Sequence, residues 1–337
     1  MPSSQEQKTP LTTGQKIANL PTINYRVLVD NEPKEIIKLL SVCVEEGFFY
    51  LDMRDDFALL AELEMLQGFI EKWFSQSDDI KKDFARGSYI HGYKPTGAFA
   101  GPYENTRDAY ESLKVSHKSL ADPNAKFPTE DENERAMIIS YLERSRAVSL
   151  KLVALLSDAM NLSPEERLES YHQSDIDSNS VLVLLKYPYT NPAELCSKVG
   201  HNKHTDIGSI TFLITDQWGL QVMAKDSEEW EFIEPRPGHA VINVGDSLRF
   251  LSKKALRSCL HRVIPVPGQK VDRYTIAYFL RPSDSAVFTG SDNQPVRAAS
   301  WHDQKYKVFE STQEEQSKTA ILTGGLEPLG KRHEIRS

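Results

Sequence analysis

Apolar residues recur at helical spacing in three segments of the first half of the chain, which predicts amphipathic helices there. These segments cover residues 31–47, 57–76 and 133–160. Ser163 and Pro164 suit the start of a further short helix, because serine caps helices and proline fits the first turn. Short apolar runs predict strands at 21–25 and 48–54, and the dense Gly, Pro and aromatic residues of 87–108 predict a long loop.

The second half of the chain has a different pattern, in which short β-type runs are bounded by Gly, Pro, Asn or Asp. Eight such runs lie at residues 181–187, 209–215, 220–224, 230–234, 240–245, 248–251, 259–266 and 273–281. Their spacing favours an antiparallel sandwich or barrel over a parallel α/β sheet. A last helical pattern at 296–312 is expected to lie outside that barrel, and the polar ends at 1–18 and 328–337 are expected to be mobile.

The composition, 337 residues with 39% hydrophobic content, suits one substantial domain or a domain with an appended lobe. The net charge is −8 and no basic block stands out, so nucleic acid is not an expected partner. Neither a signal-peptide pattern nor an apolar run of about 18 residues is present, so we expect a soluble, cytoplasmic protein without membrane contact. Cys43, Cys196 and Cys259 form no CxxC pair and are expected to be reduced, mostly buried thiols.

Two histidines and an aspartate lie within six positions at His201, His204 and Asp206. A strand sends alternate side chains to opposite faces, so His204 and Asp206 share a face while His201 is expected to point away. Among the other histidines, His261 lies in a well-defined later strand. Two histidines and one carboxylate make a facial triad, which leaves three positions of an octahedral iron open for ligands and O2.

Arg273 and Thr275 also lie two apart in a predicted strand and therefore share a face. A guanidinium beside a hydroxyl is a good carboxylate receptor, because the arginine fork binds both oxygens and the hydroxyl adds a directed donor. An iron site of this type commonly requires a ligand that bears a carboxylate. The two features therefore support each other.

The order of these motifs resembles one family. HxD, then about 55 residues to the histidine of "SCLHRV", then R-x-T in "RYTIAYF" is similar to the isopenicillin N synthase-like superfamily of Fe(II)/2-oxoglutarate-dependent oxygenases. The segments "GLQV", "PGHAVINVGD" and "PTINY…EEGFFYL" are typical of the same superfamily, and "FLRPSD" and "WHDQKYKVF" resemble its fungal secondary-metabolism members. The resemblance covers roughly residues 18 to 310.

The resemblance implies a mainly β fold with flanking helices: a double-stranded β-helix, or jelly roll, with an N-terminal α/β lobe and a C-terminal helix. The implied division is a mobile N-terminus at 1–18, a helical and mixed lobe at 19–175, the jelly-roll domain at 176–310 with its helix at 295–312, and a tail at 313–337. The implied cofactors are Fe(II), the cosubstrate 2-oxoglutarate and O2, with ascorbate as a stimulant. The sequence carries no signal for an oligomeric state.

The resemblance also assigns residues. It implies that His204, Asp206 and His261 bind Fe(II), and that Arg273 and Thr275 hold the distal carboxylate of 2-oxoglutarate. Thr275 stands where the family usually has serine, and Tyr187 in the cosubstrate site matches the family's tyrosine before proline. No protein nucleophile is required, so no catalytic residue is expected beyond the metal centre. Asp246 and Arg262 resemble positions that support the barrel.

The implied reaction is oxidation of an unactivated C–H bond of a small secondary metabolite by hydroxylation, desaturation, or ring formation or rearrangement, with release of succinate and CO2. The residues expected to face this substrate come from the 87–108 loop and the motif strands: Tyr89, His91, Tyr93, Phe99, Tyr103, Arg107, Phe212 and Phe279.

Two alternatives to this function remain open at the level of sequence. Leu185 stands where plant-type members commonly have asparagine, and "KYPY" resembles the "RYPY" of isopenicillin N synthase, which uses no 2-oxoglutarate. An oxidase independent of 2-oxoglutarate is therefore the first alternative. A catalytically silent ligand-binding protein on the same fold is the second.

Overall fold

The computed structural model describes residues 15–85, 88–99, 107–173, 177–189, 201–225, 227–264, 266 and 269–327. The helices are α1 (Tyr25–Val29), α2 (Pro33–Glu45), α3 (Phe57–Phe74), α4 (Asp78–Lys82), α5 (His117–Ala121), α6 (Glu132–Ala159), α7 (Asp246–Leu251), α8 (Ala298–Glu310), α9 (Gln313–Ser317) and a 3-10 turn at Leu168–His172. The strands are β1 (Thr22–Asn24), β2 (Phe48–Asp52), β3 (Gly92–Lys94), β4 (Glu111–Ser116), β5 (Val181–Tyr187), β6 (His201–His204), β7 (Ile210–Ile214), β8 (Leu220–Met223), β9 (Trp230–Phe232), β10 (His239–Val244), β11 (His261–Val263), β12 (Arg273–Leu280), β13 (Val287–Thr289) and β14 (Pro295–Arg297).

Two sheets form the core of the protein. The major sheet has eight strands in the order β1-β2-β10-β7-β12-β5-β4-β3, and the minor sheet has four in the order β6-β11-β8-β9. Their pairs are antiparallel except β1 with β2. The predicted barrel of antiparallel strands is therefore confirmed, and β1 to β4 from the segment before residue 176 extend its major sheet.

Alternation along β12 explains how one strand serves both the core and the interior of the barrel. Ile276 and Tyr278 face the helices and pack in the main hydrophobic core with residues of α3 and α6. Thr275, Ala277 and Phe279 face the other way and line a pocket between the two sheets. The major sheet thus has one face covered by helices and one face turned to the pocket.

The long helix α6 begins where the sequence predicts it. The Asp131 carboxylate accepts hydrogen bonds from the backbone N–H groups of Asn133 and Glu134, which satisfies two donors of the first turn. Leu142, Leu152 and Leu156 are fully buried in the main core, at spacings that keep them on the buried side of the helix. Burial of this face anchors the helical layer to the sheet.

Besides strand β3 (Gly92–Lys94), which lies within the predicted loop at 87–108, three predicted elements differ from the structure. Residues 248–251, predicted as a strand, lie in helix α7, which follows Gly245. A Cβ atom at Gly245 would lie 2.2 Å from the Gly208 carbonyl oxygen, so this close approach of two backbones sets the entry to the helix. Residues 164–166 form a turn rather than a helix, and the 3-10 turn follows. The third difference concerns the last helix, whose position is described with the site.

The C-terminal helix α8 is tied to the barrel by a buried ion pair. The fully buried Lys305 ammonium donates to Asp246 Oδ2 at 2.5 Å and to Thr205 Oγ1 at 2.7 Å. The Asp246 backbone N–H donates to the Asp206 carbonyl oxygen at 2.8 Å. This network joins α8 and α7 to the segment that follows β6, and it agrees with the supporting role expected of Asp246.

Within the described residues, no helix is both long and apolar enough to cross a membrane. Cys43 and Cys259 are buried free thiols, as predicted, and Cys196 lies outside the described residues. Of the predicted tail, Leu322 packs into a hydrophobic cluster with α8, while 328–337 lies outside the described residues.

Candidate active site

The three residues of the predicted triad meet between the two sheets. His204 at the end of β6 lies directly opposite His261 at the start of β11 in the minor sheet. Asp206 follows two residues after β6 ends, and its Oδ1 atom lies 3.6 Å from Nε2 of each histidine. One donor atom from each side chain lies within 4.8 Å of the other two, and all three residues are buried. This cluster can hold one metal ion.

Backbone carbonyls orient the two imidazoles. His204 Nδ1 lies 2.6 Å from the Asn202 carbonyl oxygen, and His261 Nδ1 lies 3.2 Å from that of Cys259. A carbonyl oxygen only accepts, so each Nδ1 carries the proton and each Nε2 presents its lone pair to the centre of the cluster. Metal-bound histidines ordinarily have this arrangement, in which the second ring nitrogen donates to a fixed acceptor.

Hydrogen bonds to the second carboxylate oxygen, Oδ2, fix the orientation of Asp206. Thr211 Oγ1 donates to Asp206 Oδ2 at 2.6 Å and Asn243 Nδ2 donates at 2.8 Å, which leaves Oδ1 facing the imidazoles. Burial opposes ionisation of Asp206, but the adjacent His261 and His204 outweigh it and hold the pKa of the carboxyl well below its usual range. Burial also lowers the pKa of His204. A carboxylate oxygen and two imidazole nitrogens form a donor set that fits Fe(II).

His201 does not lie where strand alternation places it. The pairing of β6 with β11 is irregular. His204 is opposite His261, and His201 is opposite Val263, so three residues of β6 span the same length as two residues of β11. The extra residue in β6 turns His201 back toward the site. The centroid of its ring lies 4.1 Å from the ring centroid of His204 and 4.9 Å from that of Tyr110, and His201 lines the pocket. The expectation that His201 points away was wrong.

Arg273 and Thr275 lie side by side at one end of the pocket. Arg273 is 2% exposed; its Nη1 donates to Thr275 Oγ1 at 2.6 Å and its Nε donates to the Trp218 carbonyl oxygen at 3.0 Å. Its Nη2 is buried and has no hydrogen-bond partner within the described part of the chain. Among the described residues no carboxylate forms an ion pair with this guanidinium. A buried guanidinium with an unused donor is able to bind a ligand carboxylate.

Neighbouring residues shape this carboxylate receptor. Tyr187 is directly opposite Arg273 across the β5–β12 pair, and the guanidinium carbon lies 4.9 Å from the tyrosine ring centroid. Leu185, opposite Thr275, adds an apolar wall to the pocket. Gly219, with φ +129°, brings its backbone against Arg273, because a Cβ there would lie 3.3 Å from Nε.

The pocket over the triad contains about 930 Å³ of space between its lining atoms, including its open mouth. Tyr306 and Phe309 of helix α8 cover one side of it. The last helix was expected to lie outside the barrel, but it forms part of the wall of the site. Phe48 closes another side and packs edge-on against His261, with ring centroids 5.4 Å apart. Most of the wall is apolar, so the pocket suits an organic ligand.

The residues predicted to face substrate fall into three groups. Phe99 and Phe279 line the pocket. Five described residues do not: Tyr89, His91, Tyr93, Arg107 and Phe212. Side chains alternate along β7, so Thr211 faces the pocket and the next residue, Phe212, faces the other way and packs in the main core. Tyr103 lies outside the described residues.

Several lining residues were not found from the sequence. They are Thr211 and Asn243 beside the triad, and Tyr110, Lys114, Arg281, Tyr306 and Phe309 farther out. Arg281 had a usable signal, since it lies eight positions after Arg273 and therefore on the same side of β12. The others reach the site through long-range packing that no local pattern indicates.

The comparison with known proteins agrees with this geometry. The family model of the 2OG-Fe(II) oxygenase superfamily matches residues 178–282. The 2-oxoglutarate-dependent dioxygenase frbH of Dothideomycetidae sp. is 40% identical, over 92% of this chain and 96% of the relative. The 2-oxoglutarate-dependent dioxygenase gloE of Glarea lozoyensis is 41% identical, over 91% of this chain and 93% of the relative.

Structural comparison confirms the fold. The crystal structure of a full-length Neurospora crassa protein in complex with alpha-KG matches with a TM-score of 0.74 at 20% identity, over 88% of this chain and 98% of that one. The predicted jelly roll and family are confirmed, as is the predicted use of Fe(II) and 2-oxoglutarate. The names of the fungal relatives favour neither the oxidase nor the silent binding protein. The chain belongs to the 2OG-Fe(II) oxygenase superfamily and is a dioxygenase that uses Fe(II) and 2-oxoglutarate.

Proposed function

We propose that His204, Asp206 and His261 bind the Fe(II) of this enzyme. The support is the convergence of their three donor atoms within 4.8 Å in a buried site, with both imidazoles held in the ligand tautomer. Thr211 and Asn243 would keep Asp206 Oδ2 occupied, so that one oxygen remains for the metal.

Arg273 and Thr275 would receive the distal carboxylate of 2-oxoglutarate, with Tyr187 beside them. The single observation that carries this assignment is the buried Arg273 Nη2, which has no partner. The carboxylate would accept from Nη2 and from the Thr275 hydroxyl, whose proton is free because Thr275 Oγ1 already accepts from Nη1. It would also pair the buried charge, which forms no ion pair with a carboxylate among the described residues.

The chain itself would bind, orient and shield the reactants. Bound Fe(II) supplies O2 activation coupled to the decarboxylation of 2-oxoglutarate to succinate and CO2. Phe48, Phe99, Phe279 and Phe309 form apolar walls that exclude water from the triad. No acidic or basic side chain is needed to move a proton to the substrate, so substrate position would decide which C–H bond reacts.

The substrate would be a small organic molecule, and we propose a secondary metabolite because the matched relatives are fungal dioxygenases. The outcome would be hydroxylation, desaturation, or ring formation or rearrangement at an unactivated C–H bond. The direct test measures succinate and O2 consumption by purified enzyme with Fe(II), ascorbate and a metabolite panel. Succinate released in step with a product is expected, whereas O2 uptake without succinate would contradict the proposal.

Replacing Arg273 with methionine should weaken 2-oxoglutarate binding by about 10–100-fold, because a buried charge-assisted pair is lost. Iron binding should be unchanged, since the triad keeps its own contacts. Isothermal titration of 2-oxoglutarate into anaerobic Fe(II) enzyme measures the first effect, and metal analysis measures the second. An unchanged dissociation constant would rule out Arg273 as the receptor.

Substitutions at Thr275 test the hydroxyl alone. Thr275→Val keeps the shape but removes the donor, and the dissociation constant for 2-oxoglutarate should rise by about 10-fold. Thr275→Ser keeps the hydroxyl and serves as the matched control, with binding close to that of the native enzyme. Equal loss in both variants would mean that packing rather than hydrogen bonding is responsible.

A further inference from the structure

The pocket has a second group of cations, far from Arg273. Lys114 on β4 is 8% exposed and Arg281, just after β12, is 4% exposed, and both line the pocket. Among the described residues neither forms an ion pair with a carboxylate. Two buried cations that share one wall without an acid between them are costly unless a ligand supplies the anion.

The hydrogen bonds of these cations leave donors unused. Lys114 Nζ donates to the Tyr89 carbonyl oxygen at 2.9 Å and to the Tyr306 hydroxyl at 3.4 Å, so one of its three N–H donors has no partner among the residues that the structure describes. Arg281 Nη1 donates to the Asn179 carbonyl oxygen at 2.5 Å, while its buried Nε has no partner in the same part of the chain.

Tyr306 links the two cations and is itself buried. Its ring centroid lies 4.9 Å from Lys114 Nζ and 5.9 Å from the Arg281 guanidinium carbon. Burial opposes ionisation of the phenol, but Lys114 and Arg281 outweigh it and lower the pKa of Tyr306. The local potential is therefore positive, as an anion-binding site requires.

This group is separate from the receptor for 2-oxoglutarate. Arg273 and Arg281 are eight residues apart along one extended segment, which corresponds to roughly 26 Å between their Cα atoms. Between them, Phe279 is paired with Thr211, whose hydroxyl holds Asp206. Along this segment the contact that holds Asp206 therefore lies between Arg273 and Arg281, and a five-carbon diacid is too short to engage both arginines.

We propose that Lys114, Arg281 and Tyr306 bind a carboxylate of the substrate and thereby place an apolar part of it over the iron ligands. The inference rests on the proposed function, since it assigns the substrate class of the same site. The carboxylate would accept from the free N–H of Lys114 and from Arg281 Nε, and the phenol would add a donor. The apolar part would lie along Phe99, Phe279 and Phe309.

The test compares acids with their methyl esters. Enzyme loaded with Mn(II) and saturating 2-oxoglutarate, which keeps Arg273 occupied, is titrated calorimetrically with 3-phenylpropanoate, N-acetylleucine and N-acetylphenylalanine, each as free acid and as methyl ester. At least one acid should bind about 10-fold or more tightly than its ester, because the ester loses the charge. Equal binding within every pair, or no saturable binding of any acid, would overturn the proposal.

Two variants locate the preference for acids. Lys114→Met should reduce the ratio of ester to acid dissociation constants to near one, whereas Lys186→Met should leave it unchanged. Lys186 is the matched control, because it lies on the adjacent strand, pairs with Glu111 and Asp272, and does not line the pocket. If Lys114→Met fails to fold, Tyr306→Phe removes only the phenol oxygen and should weaken acid binding severalfold without affecting the ester. An acid preference that survives both substitutions would contradict the assignment.

The same titrations separate this inference from the proposed function. Binding of 2-oxoglutarate that depends on Mn(II) tests the metal and cosubstrate site before any acid is added. If 2-oxoglutarate fails to bind, the proposed function fails. If it binds normally and no acid is preferred, only the second receptor is wrong.

Discussion

Replacing His204 with alanine is expected to abolish iron retention and, with it, succinate formation. The substitution removes one of three donors that converge within 4.8 Å, and no other described residue belongs to the cluster. Loss of a hydrogen bond that only supports a metal ligand commonly weakens metal affinity by about 10–100-fold, so loss of a ligand itself should exceed that. Iron per protein chain after gel filtration, measured by elemental analysis, checks the result.

Two further variants make this result specific. His239→Ala removes a histidine from β10 that hydrogen-bonds to the Pro237 carbonyl oxygen, and it should retain iron. Thr211→Val removes only the hydroxyl that donates to Asp206 Oδ2. Its iron affinity should lie between those of His204→Ala and His239→Ala, with a loss of about 10–100-fold relative to the native enzyme. Full iron content in His204→Ala would show that the triad is wrongly assigned.

Sequence order predicted much of the triad because its members lie in or beside strands with recognisable patterns. His204 and His261 lie in strands that pair directly, and Asp206 follows the first of these strands, so their proximity follows from one antiparallel strand pair. Arg273 and Thr275 follow the same logic, since two-residue spacing in one strand guarantees a shared face. The positions of the triad and of Arg273 and Thr275 can therefore be predicted from local sequence patterns and a single strand pairing.

The prediction from strand alternation was wrong where the strand pairing is irregular. The extra residue in β6 reverses the expected direction of His201, and a bulge of this kind leaves no mark in the alternation of a four-residue strand. The strand predicted for the segment of Leu248 and Phe250 was wrong for another reason. Its apolar alternation resembles that of a strand, but these residues form helix α7, which begins directly after Gly245, where the backbone lies against that of Gly208.

Of the second cationic region, only Arg281 has a local signal, its even spacing from Arg273. Lys114 lies on β4, Arg281 follows β12 and Tyr306 lies on α8, and 167 positions separate Lys114 from Arg281 in the sequence. Lys114 alone looks like an exposed strand lysine, and only the fold reveals that it is buried beside another cation. Residues whose function depends on such packing are found from structure and not from motif.

Lys305→Met is expected to destabilise the protein by about 3 kcal/mol, because it leaves the Asp246 carboxylate buried without its nearest cation. Both side chains are fully buried, and the ammonium lies 2.5 Å from Asp246 Oδ2. Arg249, 3.6 Å from the other oxygen, compensates only in part, which places the effect at the lower end of the range of about 3–5 kcal/mol for a broken buried pair. Urea unfolding of the metal-free protein, extrapolated linearly to water, measures the change.

Lys307→Met is the matched control, since it makes the same substitution two residues later on the exposed side of α8 and should change stability by no more than about 0.5 kcal/mol. The difference between the variants isolates burial and pairing from loss of a lysine on that helix. The Asp246 backbone holds Asp206, so the Lys305 variant should also retain less iron than the control. Equal stability of the two variants would mean that the ion pair between α8 and the barrel contributes nothing to the fold, and that helix packing alone holds Tyr306 and Phe309 over the pocket.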